Sequence, residues 1–186
     1  MDVFEAIEKR KSVRAYTPEQ ISQEALTKIV DAGQCPPNAG PYQISVLQNS
    51  EFIKKLNNLT ADAMRNSGNE FFISRISLPG YEPLYGAPTV ILLSEPIGSP
   101  FSGVNTALAA ENMLLAATGL GLASCYLFTP TLAFAGDKTG ALAKEAGIQE
   151  GYAVTCAVIV GYSGEKLLPH PPERKKASSI TSNNFV

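Results

Sequence analysis

Glu111-Asn112-Met113-Leu114-Leu115-Ala116-Ala117-Thr118-Gly119-Leu120-Gly121-Leu122-Ala123-Ser124 joins two elements of different kinds. Residues from Asn105 to Thr118 are apolar on nearly every side of a helix, which predicts a helix in the middle of the fold or in an interface. Gly119 and Gly121 stop it and let backbone pack closely, as at an ordinary glycine helix stop. Leu122 to Leu127 then reads as a strand. The apolar stretch from Leu108 to Leu122 is broken by Glu111 and Asn112 and is too short to span a bilayer.

Working outward, Val3, Phe4 and Ile7 recur at helical spacing and predict a first helix ending at about Arg10. Thr17-Pro18-Glu19 makes a turn, and Ser22 suits the N-cap of a second helix with Leu26, Ile29 and Val30 on one face and Gly33 as its C-cap. Cys35-Pro36-Pro37-Asn38-Ala39-Gly40-Pro41 is too rich in proline and glycine for regular structure. Ile44, Val46 and Leu47 predict a strand, and a helix from about Glu51 to Met64 buries Phe52, Ile53, Leu56 and Leu59. Arg65 to Gly86 shows little periodicity and contains Gly68, Pro79, Gly80 and Pro83, so a long loop or flap is expected. Thr89 to Ser94 reads as a strand buried on both faces. Lys138 to Ala146 predicts a short helix and Ala153 to Val160 a fourth strand. The whole chain, 1–186, is expected to form one domain, with a polar C-terminal arm from about 163 to 186.

Composition narrows the function classes. Net charge is −2 and the basic residues form only short clusters, which disfavours general nucleic-acid binding. Charged residues are 17% of the chain against roughly 25% in an average soluble protein, a deficit that hints at surface covered by a partner. The N-terminus, Met1 to Glu8, is acidic and amphipathic rather than a signal peptide, so a soluble protein off the membrane is expected. Cys35, Cys125 and Cys156 are far apart with no C-x-x-C pair, and His170 is the sole histidine, so no metal site is expected. Three reduced thiols suit the cytoplasm. There is no Gly-x-Gly-x-x-Gly, no P-loop and no Gly-x-Ser-x-Gly elbow. If the chain is an enzyme, a cofactor should carry the reaction.

Arg10-Lys11-Ser12-Val13-Arg14 places three cations and a hydroxyl where a helix ends and the chain turns extended. A phosphate monoester wants that mix of charge, bidentate guanidinium contacts and a small donor. The same cations also suit a solvated patch or the negative end of the first helix dipole. Pro37-Asn38-Ala39-Gly40-Pro41-Tyr42 offers backbone amides and a carboxamide in a rigid loop, suited to the edge of a planar heterocycle or to an ordinary turn. Arg174-Lys175-Lys176 either adds charge to a phosphate or solubilises the tail.

In this order, the segments resemble the nitroreductase family of flavin mononucleotide (FMN) enzymes. The residues that carry the resemblance are Arg10-Lys11-Ser12-Val13-Arg14 followed by Tyr16 and Pro18-Glu19-Gln20-Ile21, the helix ending in Ala32-Gly33, and the proline loop. Tyr85-Gly86-Ala87-Pro88 before the apolar strand, the Glu111 to Gly121 helix and turn, and Gly161-Tyr162 before a basic tail complete it. Asn38-Ala39-Gly40-Pro41-Tyr42 stands where many members carry Asn-x-Gln-Pro-Trp.

The resemblance implies an α+β, three-layer fold, with a mixed, mainly antiparallel sheet flanked by helices, in an intertwined homodimer. It implies that Arg10, Lys11, Ser12 and Arg14 bind the FMN phosphate and ribityl chain, joined by Arg174 or Lys175. Pro37, Asn38, Ala39 and Gly40 are implied to reach the flavin from the other subunit, and Ser124, Cys125, Tyr126 and Leu127 to contact the isoalloxazine through backbone. No protein side chain is implied as acid or base. The implied chemistry is ping-pong hydride transfer from NAD(P)H to a nitroaromatic, quinone or related planar acceptor; the Arg65–Gly86 loop, with Phe71, Phe72 and Tyr81, is the candidate substrate lid over the acceptor slot. A flavin-storage protein without turnover, a flavoenzyme fed by another donor, and an unrelated phosphate-ligand regulator are the alternatives.

Overall fold

A computed structural model describes residues 1–164 and 177. Its helices begin where short polar side chains accept a backbone N–H that the first turn leaves unpaired. Asp2 does so for α1 (Val3–Lys9), Ser22 for α2 (Gln23–Gly33), Asn49 for α3 (Ser50–Arg65) and Asn69 for α4 (Glu70–Ile76). The remaining helices are α5 (Val104–Gly119), α6 (Pro130–Gly136) and α7 (Ala141–Glu145). The strands are β1 (Gln43–Leu47), β2 (Thr89–Pro96), β3 (Ala123–Leu127) and β4 (Tyr152–Gly161).

The four strands form one sheet in the order β1-β2-β4-β3, with every neighbouring pair antiparallel. Successive side chains of a strand point to opposite faces, and here both faces are covered. Val90, Leu92, Ala157 and Ile159 join Leu56 of α3 in one core, while Ile91, Leu93, Val158 and Val160 join Ile29 of α2 and Met113 of α5 in the other. The fold is therefore α+β, with helices on either side of the sheet, as the sequence implies. The register of β2 on β4 shifts between Leu93 and Ser94. That bulge inverts the alternation, so Val154 belongs to the α3 core although Cys156 belongs to the α5 core.

Several sequence expectations are corrected by packing. The segment from Arg65 to Gly86 holds α4, whose Ile76 is buried against Met64 of α3. Leu59 lies at the edge of the apolar stripe of α3 and is 37% exposed, with Thr60 and Ala61 inside instead. Helix α6 was not expected, and the predicted Lys138 to Ala146 helix is shorter because Asp137 accepts bonds from Thr139 and Leu142 and so fixes the turn before α7. Gly33 is the last residue of α2 rather than its left-handed cap, and Gln34 follows in right-handed geometry. Its role is clearance: a Cβ there would lie 2.1 Å from Met113 Cε.

All three cysteines are free, with Cys35 exposed and Cys125 and Cys156 buried. Burial, opposed by hydrogen bonds from Tyr126, Thr106 and Thr155, pushes the Cys156 thiol up to about 11. The thiolate is the reactive form. In a thiol-reagent titration near about pH 8, Cys35 should react at once, and Cys125 and Cys156 only on unfolding. Rapid modification of all three in folded protein would contradict this packing.

Candidate functional site

The basic segment begins at the C-cap of α1. Arg10 leaves helical geometry there (φ −56°, ψ 127°) while its N–H still bonds Ala6 O. The chain then runs extended beside β3: Ser12 forms a parallel bridge with Ser124, and Val13 N–H donates to Ser124 O at 3.0 Å. Val13 is buried, so the two-residue period of extended backbone puts Arg10, Ser12 and Arg14 on the opposite side together. Arg10 Nε lies 3.3 Å from Glu111 Oε1 on α5, and Arg14 donates to Ser12 O at 3.3 Å. Downstream the segment is fastened to the chain after β4. Thr17 N–H donates to Tyr162 O, Gly164 N–H to Ala15 O, and Tyr16 OH to Val13 O. Ser124 is buried, and its Oγ has no hydrogen-bond partner among the described residues. The guanidiniums of Arg10 and Arg14 and the Ser12 hydroxyl, on one side of the segment beside that unsatisfied oxygen, fit the phosphate end of a mononucleotide, whereas Lys11 shares the phase of Val13 and is exposed.

The proline loop is anchored elsewhere, on the first turn of α5. Pro36 is buried while Pro37, Asn38 and Ala39 are exposed. Ala39 N–H donates to Asn105 Oδ1 at 3.0 Å, Tyr42 OH to Gly33 O at 2.7 Å, and Asn112 Nδ2 to Ala32 O at 3.2 Å. The start of α5 is itself held by Glu95 of β2. Its carboxyl oxygens accept from Gly103 N and Thr106 N, each at 3.0 Å, at a position 1% exposed.

At the end of β3, Cys125 and Leu127 are buried whereas Tyr126 and Phe128 stand at the surface. Burial, reinforced by the neighbouring Cys156, raises the Tyr126 phenol to about 12, so it stays protonated at neutral pH. Phe128 stacks on Phe72 of α4, with ring centroids 6.4 Å apart and planes 13° apart. Phe71 meets Phe72 edge-on, and Tyr81 meets Tyr85 edge-on. The Arg75 guanidinium lies 5.7 Å from the Tyr81 ring centroid. Burial first, then Tyr85, lifts the Tyr81 phenol to about 12. Tyr85 is the one non-glycine residue with positive φ (53°) among those described, in a backbone state that costs energy and must be held by its surroundings. Beside these rings is a cavity of about 680 Å³ lined by Phe128, Leu132, Phe134, Tyr152, Thr155 and Gly103 among others.

Of the residues singled out from sequence, Ser12 and Ser124 are brought into direct backbone contact, and Arg10 and Arg14 share Ser12's side of the segment. Phe72 and Tyr81 both pack on the Met64–Ile76 cluster, whereas Phe71 is 65% exposed. Arg174 and Lys175 lie outside the described residues. Sequence reasoning passed over Phe128, Glu95 and Asn105. Phe128 had a usable signal, an aromatic residue directly after a predicted strand at a proposed site. Glu95 and Asn105 had none, because their partners are found only in the fold.

Comparison with known proteins adds an independent line. The Nitroreductase family model matches residues 7–162. A nitroreductase of Bacteroides fragilis NCTC 9343, crystallised with bound FMN, is 30% identical with a TM-score of 0.87, covering 99% of this chain and 100% of that one. A nitroreductase of Desulfitobacterium hafniense DCB-2, also with bound FMN, is 27% identical with a TM-score of 0.84, covering 97% of this chain and 100% of the other. An Archaeoglobus fulgidus protein with the provisional name NADH dehydrogenase/NAD(P)H nitroreductase is 28% identical over 160 residues, 82% of this chain and 80% of its own length. A Methanothermobacter thermautotrophicus protein of the same provisional name is 39% identical over 59 residues, 30% of this chain and 31% of its own. Among the described residues no helix is long and apolar enough to cross a membrane. With the sheet order, the basic segment seated on β3 and a family match across most of the chain, the protein belongs to the nitroreductase family of oxidoreductases.

Proposed function

We propose that this chain is an FMN-dependent oxidoreductase that takes a hydride from NAD(P)H and passes it to nitroaromatic, quinone or related planar acceptors, working as a homodimer in the cytoplasm. The observation that carries this reading is Arg10-Lys11-Ser12-Val13-Arg14 fixed along β3 beside Ser124, in a chain that overlays at full length on two FMN-bound relatives. FMN held there would supply two-electron, hydride-transfer chemistry.

The protein's work is binding and electrostatics. Arg10, Lys11 and Arg14 balance the phosphate charge, and Ser12 adds a donor. Backbone of Ser124 to Leu127 would contact the ring, and Pro37 to Gly40 of a second copy would reach it. Each well-placed donor stabilises negative charge on the ring by about 2–4 kcal/mol in the transition state. No side-chain acid or base is required, and the phenols of Tyr81 and Tyr126, raised to about 12, stay protonated and so do not serve as bases at neutral pH. Phe4 and Val3 of α1 and Val104 and Leu108 of α5 expose apolar surface, which supports a seam between two copies along these helices. The arm from about 163 to 186 would bring Arg174 or Lys175 to the phosphate.

The aromatic group on α4 supports a lid over the acceptor slot, because Phe72 stacks on Phe128 directly after β3. Phe72→Ala and Tyr81→Ala should change relative kcat/KM between a nitroaromatic and a quinone by roughly 10-fold or more, at about 1–3 kcal/mol per lost apolar contact, with FMN affinity little changed. Equal loss of FMN from both variants would remove the lid role. For the function as a whole, NADH or NADPH should bleach the yellow protein under anaerobic conditions, and a nitroaromatic or quinone should restore the colour. Yellow protein that neither nicotinamide bleaches would instead mark a storage protein or another electron donor.

A further inference from the structure

We propose that Asn105 is a positioning residue that holds the proline loop in the shape needed to reach the flavin, an inference that rests on the function proposed above. Pro36 and Tyr42 secure the ends of the loop, but its tip has little packing of its own. Pro37, Asn38 and Ala39 are exposed, and a Cβ on Gly40 would meet nothing within 4 Å. The tie is the bond from Ala39 N–H to Asn105 Oδ1, 3.0 Å long, across 66 residues of sequence.

The setting of Asn105 argues for a dedicated acceptor rather than a passive core residue. The side chain is 2% exposed, and its Nδ2 is buried with no partner among the described residues. A buried unpaired amide N–H₂ is unfavourable, so packing alone would be better served by an apolar residue. The residue is held there by its other half. Around it the geometry is fixed from both directions. Glu95 locks the first turn of α5 through Gly103 N and Thr106 N, and Thr106 Oγ1 is bonded in turn by Thr155 at 2.8 Å. Two turns further on, Asn112 Nδ2 donates to Ala32 O, and Met113 fills the space over Gly33, so the stem of the loop is fastened to the same helix. Asn105 thus transfers a position set by buried β2 and β4 groups to the exposed tip of the loop.

The test compares Asn105→Ala with Asn105→Asp. Aspartate keeps an oxygen to accept from Ala39 N–H and removes the unpaired donor; because it puts a carboxyl in a buried site beside the amides that Glu95 caps, the variants are compared at about pH 5, where a carboxyl raised by desolvation is protonated. Amide hydrogen exchange at Ala39, FMN titration of flavin-stripped protein by fluorescence, and thermal melting are measured on each. Asn105→Ala should speed exchange at Ala39 selectively and weaken FMN binding about tenfold, the loss of one hydrogen bond's net worth. Asn105→Asp should restore both towards wild type. Unchanged Ala39 exchange in Asn105→Ala would overturn the anchor. Faster exchange with unchanged FMN affinity would overturn its service to the flavin. A drop in melting temperature with exchange raised throughout the chain, and no rescue by aspartate, would reduce Asn105 to a structural residue. Failure of the functional reading is seen separately, as wild-type protein that takes up no FMN; that also removes the flavin role of Asn105, while exchange at Ala39 still reports the anchor.

Discussion

Arg10→Ala and Arg14→Ala should each purify as folded protein with little or no flavin. A hydrogen bond to a charged group is worth about 1.5–3 kcal/mol, so each variant should bind FMN roughly 10–100-fold more weakly, and the double variant more weakly still. Folding should be nearly indifferent. The ion pair of Arg10 with Glu111 is half exposed on the acidic side, and such pairs are worth about 0–1 kcal/mol. Arg14 is exposed and donates to the Ser12 carbonyl at 3.3 Å, a local contact within the segment. The anchor of this segment to β3 runs through backbone, from Val13 N–H to Ser124 O, which the substitutions leave in place. Flavin titration with a urea unfolding curve separates the two quantities. If both variants purify fully flavinated, the phosphate is held elsewhere.

Glu95→Ala should show the opposite pattern, a large loss of stability that does not depend on flavin. Removing this carboxyl leaves the buried Thr106 N–H and the part-buried Gly103 N–H without an acceptor, at about 1–3 kcal/mol each, and opens a void in the core. A total of about 3–5 kcal/mol is expected, which for a chain of this size lowers Tm by roughly 10 °C. Glu95→Gln keeps the volume and one accepting oxygen but turns an N–H₂ toward the second amide, so it should fall between the two. Calorimetry of apo-protein measures both. An alanine variant melting within about 2 °C of wild type, below the shift of even 1 kcal/mol, would mean that α5 needs no cap from β2.

The parts of the fold legible in the sequence are those in which one local pattern decides. Thr89 to Ser94 is apolar at every position but its ends and is the central β2, with both faces covered. The α5 segment is apolar all round and packs against α2 and the sheet. Helices α4 and α6 were not legible although α1, equally seven residues long, was: glycine and proline crowd the segments around them and break the pattern. Isolated helices that short do not form in water. They exist here because Ile76 finds Met64, and Ala133 finds the α3 core. The Thr129-Pro130 start of α6 was the local signal available, proline at a first helical turn.

The candidate site divides in the same way. The basic segment was visible as composition, yet what makes it an anchor is phase. Only when Val13 is buried on an extended backbone do Arg10, Ser12 and Arg14 come to one side. Glu95 and Asn105 gave no sign, since a lone acidic residue ending an apolar strand and a lone asparagine opening a helix look like ordinary surface residues. Their meaning is long-range: Asn105 answers an amide at Ala39, and Glu95 answers amides that exist only once α5 has formed.

The absorbance spectrum of the purified full-length protein, followed by identification of whatever heat denaturation releases, tests the central claim most directly. The account predicts yellow protein with flavin bands in the visible and FMN, close to one per chain, in the denatured supernatant. Colourless protein that takes up no FMN when it is added would contradict it.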